Sequence, residues 1–368
     1  MSDSQPLFIV HTEASEGWGG QEIRILTESR GLMARGHRLH LLCSPQSRIY
    51  SEAQAAGVPV TAMPLSKKKW PGLKAMRDWL TLNQPDVIIT HSSTDSWLTA
   101  AARVTLGRDI PVIRLRHISA PVTDNFGTRW LYLRASRAVV TTGEMIRQQM
   151  IDLNRYPGER IHSIPTGVDL DRFTPGDRDA ARAEIGLDPA HQIIGIVASL
   201  RSWKGHETLL EAFAGLREHF PVARVVIVGD GLARISVEAA IDRLQLHEWV
   251  TLAGDQRDVV PWLRAMDVFV LPSYANEGVP QALRQAMGCG VCAVGSAMGG
   301  IPETIEDGVS GLLFAPKNHV ALGAALADLL ENPDKRARLA EAGLARARER
   351  FGMEPMLDRM EALIRQVM

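Results

Sequence analysis

The sequence predicts an α/β protein made of two doubly wound parallel sheets. Three observations carry this. Apolar runs of four to six residues alternate with amphipathic stretches, which is the pattern of βαβ units. A Pro- and Gly-rich stretch over ~165–190 breaks the alternation once, and the pattern restarts at ~191. The chain has 368 residues, 45% hydrophobic and 23% charged, which at roughly 150 residues per domain is enough for two substantial cores.

Leu7–Val10 is the first strand, and Ile23, Leu26 and Met33 mark one face of the helix after it. Leu39–Cys43, Val58–Ala62, Val87–Thr90, Pro111–Leu115 and Ala138–Thr141 follow as strands. Runs this short and this continuously apolar suit strands covered on both faces. Right-handed crossovers supply the covering helices. Pro165, Gly167, Pro175, Gly176 and Pro189 punctuate the linker. In the second half the strands are Ile193–Val197, Val225–Val228, Val250–Leu252, Val268–Leu271, Val291–Val294 and Gly311–Phe314. Leu209, Leu210, Phe213 and Leu216 stripe one helix, 280–289 forms another, and ~319–368 is helical. Ligands of such sheets bind beyond the carboxyl ends of the strands, so the cleft between the two domains is the expected site.

Net charge is −1, so nothing global attracts nucleic acid or membrane. Cys43, Cys289 and Cys292 make an odd count without a disulfide framework, as in a reducing compartment. Cys289 and Cys292 form C-x-x-C, but no second pair or His cluster completes a zinc site. They read as buried thiols at a helix-to-strand junction. The N-terminal apolar run lacks a basic region and a cleavage pattern. No run reaches the ~20 apolar residues of a membrane span. The expected location is cytoplasmic, with contact to a membrane surface left open.

Residues 272–303 carry the most chemical information. Pro272-Ser273 leads to Glu277-Gly278-Val279-Pro280, then Gln285-Ala286-Met287, then Gly299-Gly300-Ile301-Pro302-Glu303. An acidic residue precedes a Gly turn, and Pro280 stands where a helix begins, at a position that needs no N–H. A helix N-terminus gathers unpaired amides and partial positive charge, which suits a phosphate. A carboxylate beside it accepts hydrogen bonds from sugar hydroxyls. Together these read as a pocket for a sugar carried on a diphosphate.

Pro-Ser-x3-Glu-Gly-x-Pro, followed by Ala-Met-x-x-Gly and Gly-Gly-Ile-Pro-Glu, resembles the C-terminal domain of retaining glycosyltransferases of family GT4. The likeness extends to Gly17-Trp18-Gly19-Gly20-Gln21-Glu22, to Ile164-Pro165-Thr166-Gly167-Val168-Asp169, to Lys204-Gly205-His206 and to Gly229-Asp230-Gly231. The opening His11-Thr12-Glu13 is similar to bacterial polysaccharide and lipopolysaccharide transferases. The resemblance implies the GT-B fold, two Rossmann-like domains facing across a cleft, with a nucleotide sugar as substrate, no metal and no further cofactor. UDP-sugar is expected over GDP-sugar. The implied domains are 1–170 for the acceptor and 171–350 for the donor, with a C-terminal helix over 351–368 packing back on the first.

By the same resemblance, Glu277 matches the first acid of the family's E-x7-E motif and contacts the donor sugar. The second position is Gln285, which keeps hydrogen-bonding capacity but loses a charge-assisted bond about twice as strong as a neutral one. Gly278, Val279 and Pro280 bring amides to the donor. Lys204, normally helped by an Arg a few residues earlier, neutralises leaving-group charge. Ser199 occupies that Arg position, and Arg201 is the candidate substitute. His117 is expected beside the reactive centre in preference to His91, orienting donor or acceptor. Gly19 and Gly20 allow close backbone approach, Gly254 and Arg257 border the base, and Glu22 reads as a first-turn helix charge.

Arg114 and Arg116 either grip an anionic acceptor or are surface charges. Lys67-Lys68-Lys69-Trp70 is either a solvated loop or a contact for anionic lipid or a phosphate-bearing, lipid-linked acceptor, with Lys68 in the acceptor set. The leading reading is a transferase in cell-surface glycan synthesis with no nucleic-acid partner. The alternatives are a non-catalytic, nucleotide-sugar-binding relative and, third, a nucleotide-sugar epimerase.

Overall fold

A computed structural model describes residues 5–118, 120–275, 277–278 and 280–368. The chain divides into two compact units, residues 1–167 with 353–368, and residues 168–352. The first holds a seven-stranded sheet in the order β3-β2-β1-β4-β5-β6-β7. Its strands are β1 (Phe8–Glu13), β2 (Arg38–Cys43), β3 (Val60–Ala62), β4 (Val87–Thr90), β5 (Val112–Arg116), β6 (Ala138–Thr141) and β7 (Ile161–Ser163). The second holds β8 (Gln192–Val197), β9 (Ala223–Val228), β10 (Val250–Gly254), β11 (Val268–Leu271), β12 (Cys292–Ser296) and β13 (Leu312–Phe314), in the order β10-β9-β8-β11-β12-β13. Every strand pair is parallel. In both sheets the order reverses beside the first strand of the unit, as in doubly wound folds.

The strands β1, β4, β6 and β11 are buried at every residue, which is why β4, β6 and β11 read as nearly continuous apolar runs; β1 begins as one and ends in the buried His11, Thr12 and Glu13. Helix ends follow local chemistry. Ser92 and Asp95 form a capping box at the start of the helix Ser93–Leu106, and Gly107 ends it at φ +63. Asn125 caps Phe126–Leu133 by accepting from the Thr128 amide.

The C-terminal helix Met353–Val367 supplies Met356, Leu357, Met360, Leu363 and Ile364 to one apolar cluster with Ile9, Leu32, Val87, Ile89 and Ile113. It lies so near the helix Gly20–Ala34 that a Cβ at Gly31 would stand 2.4 Å from Leu357 Cδ1.

Two local expectations are corrected. The linker contains the helix Arg178–Glu184, capped by Asp177. Asp267 holds it, accepting from Arg178 at 2.6 Å, from Arg182 at 2.7 Å and from the Ile193 amide at 2.7 Å. Trp70 does not close a loop but opens the helix Trp70–Leu82. Strand β7 is added at one edge of the first sheet. Cys289 and Cys292 are free and buried. No helix among the described residues is long and apolar enough to cross a membrane.

Met360 is fully buried at the centre of the helix-to-sheet contact. Met360→Ala is expected to lower the unfolding free energy of the first unit by about 2–5 kcal/mol. Urea denaturation measures this, and a loss below about 1 kcal/mol would contradict the packing described.

Candidate active site

In the second unit, the chain leaving β8 makes one 3-10 turn over Ser202–Lys204, and Gly205 follows at φ +77. A Cβ at 205 would sit 2.1 Å from the Pro272 carbonyl oxygen, so glycine is required for this loop to lie against the one after β11. The Tyr274 amide donates to the Trp203 carbonyl at 2.8 Å. This contact delivers Lys204 to Glu277. Lys204 Nζ donates to Glu277 Oε2 at 2.7 Å, and Ser273 Oγ donates to the same oxygen at 2.7 Å. The Ser296 hydroxyl, at the end of β12, in turn donates to the Ser273 carbonyl. Glu277 is only 4% exposed, and a carboxylate so buried needs such partners.

Gly299 and Gly300 lie beneath this loop. The Gly300 amide donates to the Glu277 carbonyl at 2.9 Å. Cβ atoms at 299 and 300 would meet the Glu277 and Gly278 carbonyl oxygens at 2.0 and 2.1 Å. The Gly-Gly of the motif is therefore the floor on which the Glu277 loop is shaped. The helix that follows is Gln281–Gly288, with Pro280 as its N-cap and not its first helical residue. Gly278 is partly exposed, and Val279 lies outside the described residues. Gln285 is partly exposed one turn into the helix.

The remaining donor candidates are not all gathered here. Arg201 is exposed, its guanidinium 5.5 Å over the Trp203 ring. Gly254 ends β10 at φ +69 with open space where a Cβ would be. Arg257 lines a groove of about 570 Å³ with Glu184, Ile185 and Trp262, and no described contact joins it to Lys204 or Glu277. His206 opens the helix His206–Ala214. Burial, then the neighbouring Lys204 charge, push its imidazolium down to about 4.

In the first unit, three histidines stand at the carboxyl ends of adjacent strands. His11 is on β1, His91 follows β4 and His117 follows β5. His11 Nδ1 and His91 Nε2 are 2.8 Å apart, and His91 Nδ1 and His117 Nε2 are 3.0 Å apart. The ring planes are inclined by only 20° and 28°, with centroids 5.1 and 5.3 Å apart, so the rings meet edge to edge through these nitrogens. All three are held neutral, chiefly by burial. His11 falls to about 3 with Arg24 as second cause, and His91 and His117 lie well below the ordinary range. His117 nevertheless retains some exposed area.

Behind His11 is a buried ion pair on the helix Gly20–Ala34, Arg24 Nε to Glu28 Oε2 at 3.2 Å. Arg24 also donates to the Ile164 carbonyl at 2.7 Å. Asp95 accepts from Thr12 Oγ1 at 2.7 Å, from the His91 amide at 2.9 Å and from the Ser92 hydroxyl at 2.6 Å. Glu13, buried beside Asp95, is pushed up to about 8, by burial first and by that neighbour second.

Gly19 caps the helix Gly20–Ala34 and Gly20 begins it; no protein atom crowds a Cβ at Gly20. Glu22, read as a first-turn charge, is in that turn but buried. Arg114 is 5% exposed, donates to the Ser92 carbonyl at 3.0 Å and to Ser96 Oγ, and covers the Tyr132 ring. Arg116 reaches Tyr132 Oη and the Ala120 carbonyl. Neither guanidinium is a free surface charge. Lys68 donates to Ser93 Oγ at 3.1 Å and lies over Trp97.

The sequence reading did not single out Ser273, His11, Glu28 or Asp95 for these contacts. Only Asp95 left a local signal, the Ser92-x-x-Asp95 spacing of a capping box.

Two family descriptions match, "Glycosyltransferase Family 4" over residues 18–172 and "Glycosyl transferases group 1" over residues 177–346. The D-inositol 3-phosphate glycosyltransferase of Segniliparus rotundus is 31% identical over 294 residues, 78% of this chain and 63% of that protein. The chain thus spans less than two thirds of that relative's length. A glycosyltransferase from Rickettsia africae has the same fold, with a TM-score of 0.89 at 18% identity, covering 99% of both chains. HepE of Anabaena, solved in complex with UDP-glucose, gives a TM-score of 0.82 at 20% identity over 98% of this chain and 100% of that one.

His206 provides a pH test. Its folded pKa is lowered from 6.5 to about 4, so its contribution is present above pH 6.5 and lost as pH falls toward 4. Between pH 7 and pH 5 the wild type is expected to lose about 2 kcal/mol more than His206→Leu, at about 1.4 kcal/mol per pH unit. Parallel losses in urea titrations would contradict this.

Proposed function

This chain belongs to glycosyltransferase family 4, and we propose that it moves a sugar from a nucleoside-diphosphate sugar to an acceptor hydroxyl with retention of configuration. The observation that carries this reading is Glu277 Oε2, shared at 2.7 Å by Lys204 Nζ and Ser273 Oγ beside the start of the helix Gln281–Gly288. A carboxylate fixed in this way accepts hydrogen bonds from donor hydroxyls. The ammonium and the first helical amides attract the diphosphate. As the sugar–phosphate bond breaks, charge builds on the leaving oxygen and Lys204 stabilises it. Arg201 adds a second cation, and Gln285 binds the nucleotide ribose as a neutral partner. Lys204 and Glu277 hold each other before the donor arrives, so neither has to be ordered on binding.

Among the described residues no activated nucleophile accompanies this pair, which favours front-face transfer, with the leaving phosphate taking the acceptor proton. UDP-sugar is the favoured donor, in line with the UDP-glucose complex of the Anabaena fold relative. The acceptor is a glycan, a lipid-linked sugar or, following the name of the Segniliparus relative, a phosphorylated cyclic polyol. His117 receives its hydroxyl. Lys67, Lys69 and the exposed Trp70 offer a basic, aromatic face to the cytoplasmic side of a membrane.

The test is product formation from UDP-glucose, UDP-N-acetylglucosamine and GDP-mannose with saccharide and inositol phosphate acceptors. Transfer is expected with a UDP-sugar and with the donor's anomeric configuration kept in the product. Lys204→Ala and Glu277→Ala are each expected to lower kcat/KM by roughly 10²–10³-fold. An inverted product would overturn the front-face route. Unchanged turnover in either variant would overturn the site.

A further inference from the structure

The opposite edge of the first sheet, away from the histidines, gathers positive charge. Strands β5, β6 and β7 are parallel neighbours, so the residues that enter them share the amino edge. Arg137 stands immediately before β6 and Arg160 immediately before β7. Arg103 lies in the last turn of the helix Ser93–Leu106, which leads into β5. Arg134 directly follows the helix Phe126–Leu133, which leads into β6. These four arginines, from four segments, line one cavity of about 280 Å³. Asp109 is the one carboxylate among its described lining residues.

The ordinary role of such arginines is to bind loop carbonyls, and two of them do so. Arg103 Nη1 donates to the Ala135 carbonyl at 3.0 Å. Arg160 donates to the Leu133 carbonyl, to the Ser136 carbonyl at 2.7 Å and to the Arg137 carbonyl at 3.1 Å. These bonds fix both guanidiniums but leave their charge in place, because a carbonyl carries no net charge. Compensation falls to Asp109 alone. Its Oδ2 accepts from Arg137 Nη2 at 2.5 Å. Its Oδ1 is 3.9 Å from Arg103 Nη2, too far for a hydrogen bond. The exposed Arg134 guanidinium has no hydrogen bond or ion pair among the described residues. Arg103 is held below the ordinary guanidinium range, by burial first and also by the Arg137 charge, with Asp109 opposing both. An anion in the cavity would relieve that repulsion.

We propose that this cavity binds a phosphate dianion, free or as a monoester, with Arg103, Arg134 and Arg137 donating to it and Arg160 adding its charge. The planar fork of a guanidinium matches two phosphate oxygens. Above pH ~6 a phosphate monoester approaches two negative charges, where a second carboxylate would bring one. At about 280 Å³ the cavity is at the small end of ligand sites, which suits a phosphate and excludes a whole nucleotide or a folded peptide. The site stands at the other end of the strands from His117, and Lys204 belongs to the other unit. It is therefore separate from the donor and acceptor groups named above and does not depend on the glycosyltransferase reading.

The experiment is calorimetric titration of the full chain with inorganic phosphate at neutral pH and constant ionic strength. One saturable site is expected in the wild type and, with the same affinity, in Lys204→Ala. Replacing both Arg134→Gln and Arg137→Gln is expected to weaken binding by roughly 10-fold or more. Asp109→Asn removes the competing carboxylate and is expected to tighten binding roughly 2- to 5-fold, a gain that a poorly folded variant does not produce.

Flotation with phosphatidylcholine vesicles, with and without phosphatidic acid, separates a lipid headgroup from free phosphate. Flotation that needs phosphatidic acid and is lost in the double arginine variant, without binding of inorganic phosphate, would assign the monoester to a lipid. Phosphate binding lost in Lys204→Ala would overturn the proposal by assigning the ion to the donor site. So would equal binding of phosphate and vesicles by the wild type and the double arginine variant, or no binding of either. Phosphate binding as expected, without a response to any nucleotide or its sugar, would refute the glycosyltransferase reading and leave this site standing.

Discussion

Parallel strands buried on both faces leave almost no room for polar chemistry along their length. Their ladders satisfy the backbone, their side chains fill two cores, and functional groups are pushed to the carboxyl ends. Both units obey this constraint. In the first, His11, His91 and His117 belong to the ends of neighbouring β1, β4 and β5. In the second, Lys204 follows β8 and Ser273 and Glu277 follow β11, again neighbours in the sheet. Residues far apart in sequence are thereby brought to one edge by sheet order alone.

The cost of concentrating charge at these edges is met locally. Glu277 is buried but shares one oxygen with a cation and a hydroxyl. Glu28 and Arg24 are fully buried and paired on one helix, an arrangement whose desolvation penalty commonly rivals its attraction. Such a pair contributes little net stability. The glycines have their own role in the second unit. At 205, 299 and 300 they let backbone approach backbone at distances no side chain would tolerate, and this close packing holds the Lys204 and Glu277 loops together.

Much of the fold was legible because its signals are local. Val87–Thr90, Ala138–Thr141 and Val268–Leu271 coincide with their strands to the residue, since each is a short run of apolar residues, closed by a threonine in the first two. Strand β7 was missed because Ile161–Ser163 has a single buried apolar residue and takes its place from pairing with β6. The helix Arg178–Glu184 was hidden in a Pro- and Gly-rich stretch and depends on Asp267, 89 and 85 residues from its two arginines. The Glu277 loop was legible for the opposite reason, being one contiguous segment whose turn, cap and helix are written in order. The histidine chain was not, because its links join residues 80 and 26 apart in sequence. His117 could be singled out, but no linear pattern announced what stands behind it.

The central claim, that Lys204 and Glu277 form a nucleotide-diphosphate site, is tested most directly by nucleotide-dependent thermal shift. UDP at 100 times its Kd is predicted to stabilise the wild type by about 2.7 kcal/mol, with a smaller shift for GDP and with the UDP shift lost in Lys204→Ala. A UDP shift of equal size in wild type and Lys204→Ala, or no shift with any nucleoside diphosphate or its sugar, would contradict the account.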